Sequence, residues 1–214
     1  MPRNSAIQEL RAILNPTSQR MMTGIALNAI GGGMTLSLLM VYLHDIRGFS
    51  NTFNGLALSW GAIVSICFGP FAGWLIDHLG ARIVILTGIV CNGIAALSLA
   101  FVSTHAQVIA AISLLSAADQ AVRPTQNVAL TRVTPEEHRS KIFGYRFMFL
   151  NLGMGFGGLV SSLIIQQGSL ISFQAMYIVD AATFFIYLAI VWGIRGPEMQ
   201  RHKAAAHEPQ RGSY

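Results

Sequence analysis

Four long stretches of this 214-residue chain contain no Asp, Glu, Lys or Arg. They lie between Arg20 and Asp45, Arg47 and Asp77, Arg82 and Asp119, and Arg146 and Asp180. A helix needs about 20 apolar residues to cross a bilayer, and each stretch is longer than that. Only 11% of the residues are charged, against about 25% in soluble domains. The chain is therefore expected to be an all-helical integral membrane protein.

Turn residues at 103–106 and 166–169 divide two of these stretches, which predicts six helices. The predicted spans are about 21–43, 54–76, 83–103, 107–131, 142–166 and 172–194. Residues 1–20 are predicted to be a terminal segment, 21–194 a six-helix transmembrane domain and 195–214 a basic tail.

The Lys and Arg residues near the predicted helix ends lie almost entirely on one side, and Arg47 lies on the other. Because Lys and Arg accumulate on the cytoplasmic side, both termini are predicted to be cytoplasmic. The net charge of +5 then reflects topology, and no nucleic-acid partner is expected. The expected environment is the lipid bilayer of the plasma membrane.

A polar tract, GPFAGWLIDHLGARIVI, joins the second and third predicted helices. Gly73 permits close approach of a neighbouring helix. Asp77 falls at a helix C-terminus, where the helix dipole disfavours a carboxylate, so a nearby cation or a facing helix N-terminus should compensate its charge. Arg82 is the obvious local candidate, because Gly80 permits a tight reversal. An ordinary turn that satisfies one Asp and one Arg is the alternative reading.

Three ionisable residues fall far from the ends of their predicted helices: Asp119, Arg123 and Asp180. Such residues are costly in a membrane and are expected to face a cavity or a partner. Asp119 and Arg123 are four residues apart and can pair on one helix face. A purely structural pair would explain them equally well. Arg146, near the inner end of the fifth helix, is expected to extend to the interface.

Asp180 has no charged neighbour within a turn of its own helix. Burial disfavours the charged form of a carboxyl group, so Asp180 is a candidate for reversible proton binding. The alternative is a static role, in which Asp180 reaches Arg123 across the bundle or hydrogen-bonds to a helix backbone. Asn28 lies beside Gly31, Gly32 and Gly33 near the middle of the first helix. Transporter sites often use such interrupted helices near the midplane, although helix packing alone would also explain the glycines.

The spacing G-x-L-x-D-x-x-G-x-R, from Gly73 to Arg82, resembles the loop motif of the major facilitator superfamily. The fuller motif has basic residues where this chain has His78 and Ala81. The segments VYLHDIRGFSNTFNGLALSWG, RVTPEEHRSKIFGYRF and NLGMGFGGLVSS look like the amino-terminal half of a drug-efflux-type member. The last is similar to an antiporter signature, with Gly158 in place of its proline. Its small residues would line one face and allow close helix contact at Gly153, Gly157 and Gly158.

The resemblance implies one six-helix half of such a bundle, built as a 3+3 inverted repeat. It assigns a conformational latch to Gly73, Asp77, Gly80 and Arg82, and leaves Asn28, Asp119, Arg123 and Asp180 as candidates for substrate binding or proton coupling.

The implied activity is secondary active transport of small organic molecules, as proton-coupled efflux, with no cofactor. The usual signatures of membrane proteases are absent from the sequence, so no enzyme or metal site is expected.

Transport requires two bodies that rock about a site between them. We therefore expect this chain to be part of a longer gene product that supplies a second six-helix half, or else to form a homodimer. The alternative is a non-transporting six-helix fragment or subunit that needs a six-helix partner.

Overall fold

A computed structural model describes residues 15–165 and 169–193. Within those ranges there are six long helices and no strand, which confirms the all-helical prediction. The long helices are α1 (Pro16–Leu36), α2 (Asn51–Leu79), α3 (Ala81–Ala100), α4 (His105–Val133), α5 (Arg139–Ile164) and α6 (Leu170–Trp192). Each overlaps one predicted helix. Most of the predicted segment 1–20, and all of 195–214, lie outside the described residues.

Capping residues set the helix starts a few positions earlier than predicted. Asn15 caps α1, since its side-chain oxygen accepts a hydrogen bond from the Ser18 amide at 2.8 Å, and Pro16 suits the first turn. Thr104 and Gln107 form a reciprocal capping box at the start of α4, which satisfies amides that have no partner within the helix.

The first predicted helix is not continuous, and this part of the prediction is wrong. α1 ends at Leu36, and a second helical piece runs from Leu39 to Ile46, bent by 42° from the first. Leu38 between them has a φ of −118°, and the Ser37 hydroxyl donates to the Gly33 carbonyl at 2.9 Å. The last five residues of the second piece, Tyr42–Ile46, are π-helical.

Three helices, α2, α3 and α6, are each long and apolar enough to cross a membrane. The bent pair formed by α1 and its continuation makes a fourth candidate span. The two remaining long helices carry Asp119, Arg123 and Arg146, which lower their hydropathy. We call the end of the bundle that holds Asp77 the Asp77 end, and the opposite end, which holds Arg47, the Arg47 end.

The helices pack in a pattern with internal symmetry. α1 contacts α5 and α6, α4 contacts α2 and α3, and α3 contacts α6. If α1 is exchanged with α4, α2 with α5 and α3 with α6, the same set of helix contacts results. This is the symmetry expected of a 3+3 repeat. α2 and α5 consequently lie at the two edges, and α1, α3, α4 and α6 form the interior.

Two large apolar clusters form most of the core, beside a small third one around Ala72, Val84 and Ala121. The cluster at the Asp77 end contains Met21, Ile85 and Phe184, and the cluster at the Arg47 end contains Tyr42 and Tyr177. Along α6, Asp180 therefore falls between the two clusters, in the middle of the bundle.

Candidate functional site

A cleft of about 360 Å³ opens in the middle of the bundle. Five of the six long helices contribute to it, all except α2, together with Leu39 from the helical piece that follows α1. The four residues predicted for substrate binding or proton coupling all line it. Its polar lining consists of Asn28, Thr35, Asn92, Asp119, Arg123, Gln126, Arg146, Asn151, Tyr177, Asp180 and Tyr187.

Asp119 and Arg123 form the ion pair that their spacing predicts. The Arg123 Nη2 atom lies 2.9 Å from Asp119 Oδ2, and Nε lies 3.3 Å from the same oxygen. The second oxygen, Oδ1, accepts a hydrogen bond from Asn92 Nδ2 on α3 at 3.3 Å. The Asp119 carboxylate therefore both neutralises Arg123 and links α4 to α3.

Asp180 lies where α6 meets α1, and only 4% of its surface is exposed. Its Oδ2 atom accepts a hydrogen bond from the Thr35 hydroxyl at 2.9 Å. Its Oδ1 atom is buried and has no hydrogen-bond partner among the described residues. Oδ1 faces Gly31, where an added Cβ would overlap it. No described cation lies within 4.0 Å of this carboxylate.

Asn28 lies one turn of α1 from Gly31 and faces the same helix. Its side-chain oxygen is 3.5 Å from the Thr183 hydroxyl, which donates a shorter bond of 2.7 Å to the Asp180 carbonyl. The α1–α6 contact beside the cleft is therefore polar.

Arg146 does not extend to the interface as predicted. Its Nη2 atom donates to Gln126 Oε1 at 3.2 Å, and Gln126 Nε2 donates to the Tyr187 hydroxyl at 3.0 Å. These three residues connect α5, α4 and α6 along the cleft. Sequence reasoning overlooked Gln126 and Tyr187, although Gln126 follows Arg123 by three residues and so shares its helix face.

The predicted latch residues lie outside the cleft, at the Asp77 end. Gly80 ends α2 and starts α3 with a φ of +85°, a conformation that favours glycine. Asp77 and Gly73 are exposed. The described residues contain no ion pair between Asp77 and Arg82; Arg82 instead donates to the Trp192 carbonyl at the end of α6, at 3.2 Å.

The small residues of α5 pack unequally against α1. An added Cβ at Gly157 would overlap the Ile30 carbonyl, and one at Gly153 would lie 2.7 Å from the Ala29 Cβ. A Cβ at Gly158 would meet only the Ser37 hydroxyl, at an ordinary 3.6 Å. The close contact between these helices therefore depends on Gly153 and Gly157.

Several curated proteins resemble this chain. The multi-drug resistance efflux pump PmrA homolog of Lactococcus lactis is 34% identical over 139 residues, which is 65% of this chain and 33% of that protein. The MFS-type transporter YhjO of Bacillus subtilis is 27% identical over 168 residues, 78% of this chain and 41% of that protein. The quinolone resistance protein NorA of Staphylococcus aureus is 26% identical over 138 residues, 63% of this chain and 35% of that protein.

The chain thus spans less than half the length of these relatives. Residues 21–212 match the profile of the Major Facilitator Superfamily, a range that includes the cleft, the α1–α5 contact and the Gly73–Arg82 tract. This family consists of transporters, in agreement with the expectation that the chain is not an enzyme. The chain belongs to the major facilitator superfamily.

Proposed function

We propose that this chain forms one six-helix half of a proton-driven exporter of small organic molecules. Its setting is the plasma membrane, with the Asp77 end in the cytoplasm. The names of two relatives, an efflux pump and a quinolone resistance protein, support export. The observation that carries the proposal is the buried carboxylate of Asp180 at the edge of the cleft.

The surroundings of Asp180 suit a group that gains and loses a proton. A buried charge is costly unless it is paired and hydrogen-bonded. Among the described residues this carboxylate has one hydrogen bond, from Thr35, and one oxygen without a partner. Proton binding removes the charge, and proton release restores it. Because Asp180 lies in the α1–α6 contact, each change alters the interaction between two helices that line the cleft.

Transport also requires a second six-helix body. One body cannot close the cleft from both sides, whereas two bodies that rock against each other can. The second body is a further half of the protein, a homodimer partner or another six-helix chain. In this proposal Gly73, Asp77, Gly80 and Arg82 form the latch between the two bodies on the cytoplasmic side. The exposure of Asp77 leaves its carboxylate available for such a contact.

Substitution of Asp180 by Asn tests the coupling role. The full-length protein is expressed in cells, everted membrane vesicles are prepared, and uptake of an amphipathic fluorescent compound is followed after a pH gradient is imposed. D180N keeps the size and hydrogen-bonding capacity of the side chain but cannot bind and release a proton. We expect gradient-driven uptake to fall to the background level, while the amount of inserted protein is unchanged.

D45N is the matched control, because Asp45 is an exposed carboxylate near the Arg47 end, with 60% of its side chain accessible. We expect D45N to retain normal uptake. Full gradient-driven uptake in D180N would refute the coupling role.

A further inference from the structure

We infer that Arg146 is an anion-binding subsite of the cleft and that the preferred substrates are aromatic compounds bearing a carboxylate or similar acidic group. This inference rests on the proposed transport function and names the substrate class of the same cleft. It follows from the charges, the free hydrogen-bond donors and the apolar lining around Arg146.

The charges of the cleft do not balance locally. Its described lining contains two acids and two arginines, namely Asp119, Asp180, Arg123 and Arg146. Asp119 is paired with Arg123, whose Nη2 atom lies 2.9 Å from Asp119 Oδ2. Asp180 is on the α1 side of the cleft, hydrogen-bonded to Thr35. Arg146 has no carboxylate within 4.0 Å in the described part of the chain.

The Arg146 guanidinium is held in place by a neutral partner and has donors left over. A guanidinium carries five N–H donors. The described hydrogen bonds use Nη2, which donates to Gln126. The Nε atom also has no described partner, but it is buried, so the donors left for a ligand are the remaining N–H groups of the two Nη atoms. Because Gln126 is itself fixed by Tyr187, the guanidinium is oriented before a ligand arrives, and its planar fork matches a carboxylate.

The surroundings of Arg146 also fit an aromatic ring. The neighbouring Phe147 is 70% exposed, and Phe184 and Leu150 line the same cleft. The cleft volume of about 360 Å³ lies within the range of clefts that hold drug-sized ligands. A ligand whose acidic group binds Arg146 and whose aromatic ring packs against these apolar side chains would use both the guanidinium and the apolar lining.

A matched pair of probes tests this inference: nalidixic acid, an aromatic carboxylic acid that is ionised at pH 7.5, and its methyl ester. Binding is measured by calorimetry with the full-length protein in lipid nanodiscs, without a pH gradient. We expect the wild-type protein to bind the acid at least about tenfold more tightly than the ester, the scale of a hydrogen bond to a charged group.

Three variants separate anion binding from a structural role. R146Q should lose the preference for the acid while its affinity for the ester stays within about twofold of wild type. R146K keeps a positive charge and should retain part of the preference. R20Q removes an arginine of α1 that does not line the cleft and should bind both probes as the wild type does.

The inference is overturned if the wild type binds both probes equally, or if R146Q weakens both to the same extent. The second result would show that Arg146 only holds α4, α5 and α6 together. Because binding is measured without a gradient, failure of proton coupling in D180N leaves this test intact. Conversely, equal binding of the two probes would leave proton-driven export of other compounds standing.

Discussion

At the scale of single residues, the position of Asp180 depends on the absence of a side chain at Gly31. A Cβ there would overlap Asp180 Oδ1 and lie 2.6 Å from the Thr183 hydroxyl. The adjacent Gly32 faces the cleft, and a Cβ there would have no neighbour within 4 Å among the residues that the structure describes. Two consecutive glycines therefore have different roles: Gly31 makes room for the carboxylate, and Gly32 does not.

This difference predicts opposite results for two alanine substitutions. G31A forces α1 away from α6, so we expect it to reduce gradient-driven uptake by about tenfold or more and to destabilise the fold by about 1–3 kcal/mol, the usual cost of overpacking. G32A adds a methyl group to the cleft wall without touching Asp180, so it should reduce uptake much less than G31A does, and it should stabilise α1 by up to about 1 kcal/mol, because alanine favours a helix over glycine. Vesicle uptake and the unfolding temperature in detergent check both. Equal loss of uptake in the two variants would contradict the assignment.

The residues of the cleft differ in how far the sequence could predict their interactions. The Asp119–Arg123 pair was predictable because both partners lie on one helix, four residues apart, and the geometry is local. The bond from Thr35 to Asp180 joins residues 145 positions apart, and no local pattern encodes it. The position of Arg146 along α5 alone predicts that it lies at the interface. That prediction fails because the side chain has a partner on another helix, Gln126 of α4. Those contacts require the packing of whole helices.

At the scale of helices, α1 and α5 pack so closely that their backbones are in contact. Gly153 and Gly157 on α5 face Ala29 and Ile30 on α1, and a Cβ at Gly33 of α1 would overlap the Met154 carbonyl. Small residues on both helices allow this approach. Gly155 lies on the opposite face of α5, where a Cβ would have no neighbour within 4 Å in the described part of the chain.

This close contact predicts that substitution of one glycine of α5 destabilises the protein and that substitution of another does not. G157A should separate α5 from α1 and lower the free energy of unfolding by about 1–3 kcal/mol, since the added carbon meets the main chain, which cannot rotate away. G155A should be neutral or slightly stabilising. The unfolding temperatures of both purified variants provide the measurement. A G157A protein as stable as the wild type would show that the helices can separate at no cost.

The helices themselves were largely predictable, because long charge-free stretches and turn residues determine where a chain can cross a membrane. The exception is the first one, which the sequence suggested was continuous to residue 43. Its break at Ser37 and Leu38 lies among apolar residues and carries no glycine or proline, so hydropathy gave no signal. The glycines at 31–33 were compatible with an interrupted helix or with helix packing, and two of them serve close contacts with α6 and α5.

At the scale of the whole molecule, the bundle presents large apolar surfaces on its edge helices. On α2, Leu56 and Ile66 are 64% and 75% exposed, and on α5, Leu159 and Leu163 are 67% and 86% exposed. Such surfaces suit contact with lipid or with a second six-helix body. The polar cleft contrasts with them, and a transporter built from this half must cover the cleft with the second body.

The proposed latch on the cytoplasmic side should affect the movement of the two six-helix bodies without affecting substrate binding in the cleft. Asp77 is exposed and does not line the cleft, so D77A should leave the affinity for nalidixic acid within about twofold of wild type. Loss of its charge removes a contact between the two bodies, so we expect gradient-driven uptake to fall by about tenfold, a typical scale for a charged contact. E136A is the control, because Glu136 is an exposed acid in the α4–α5 connection, at the same end of the bundle. Normal uptake in D77A would refute the latch, and weakened binding in D77A with normal binding in E136A would instead indicate that Asp77 supports the cleft.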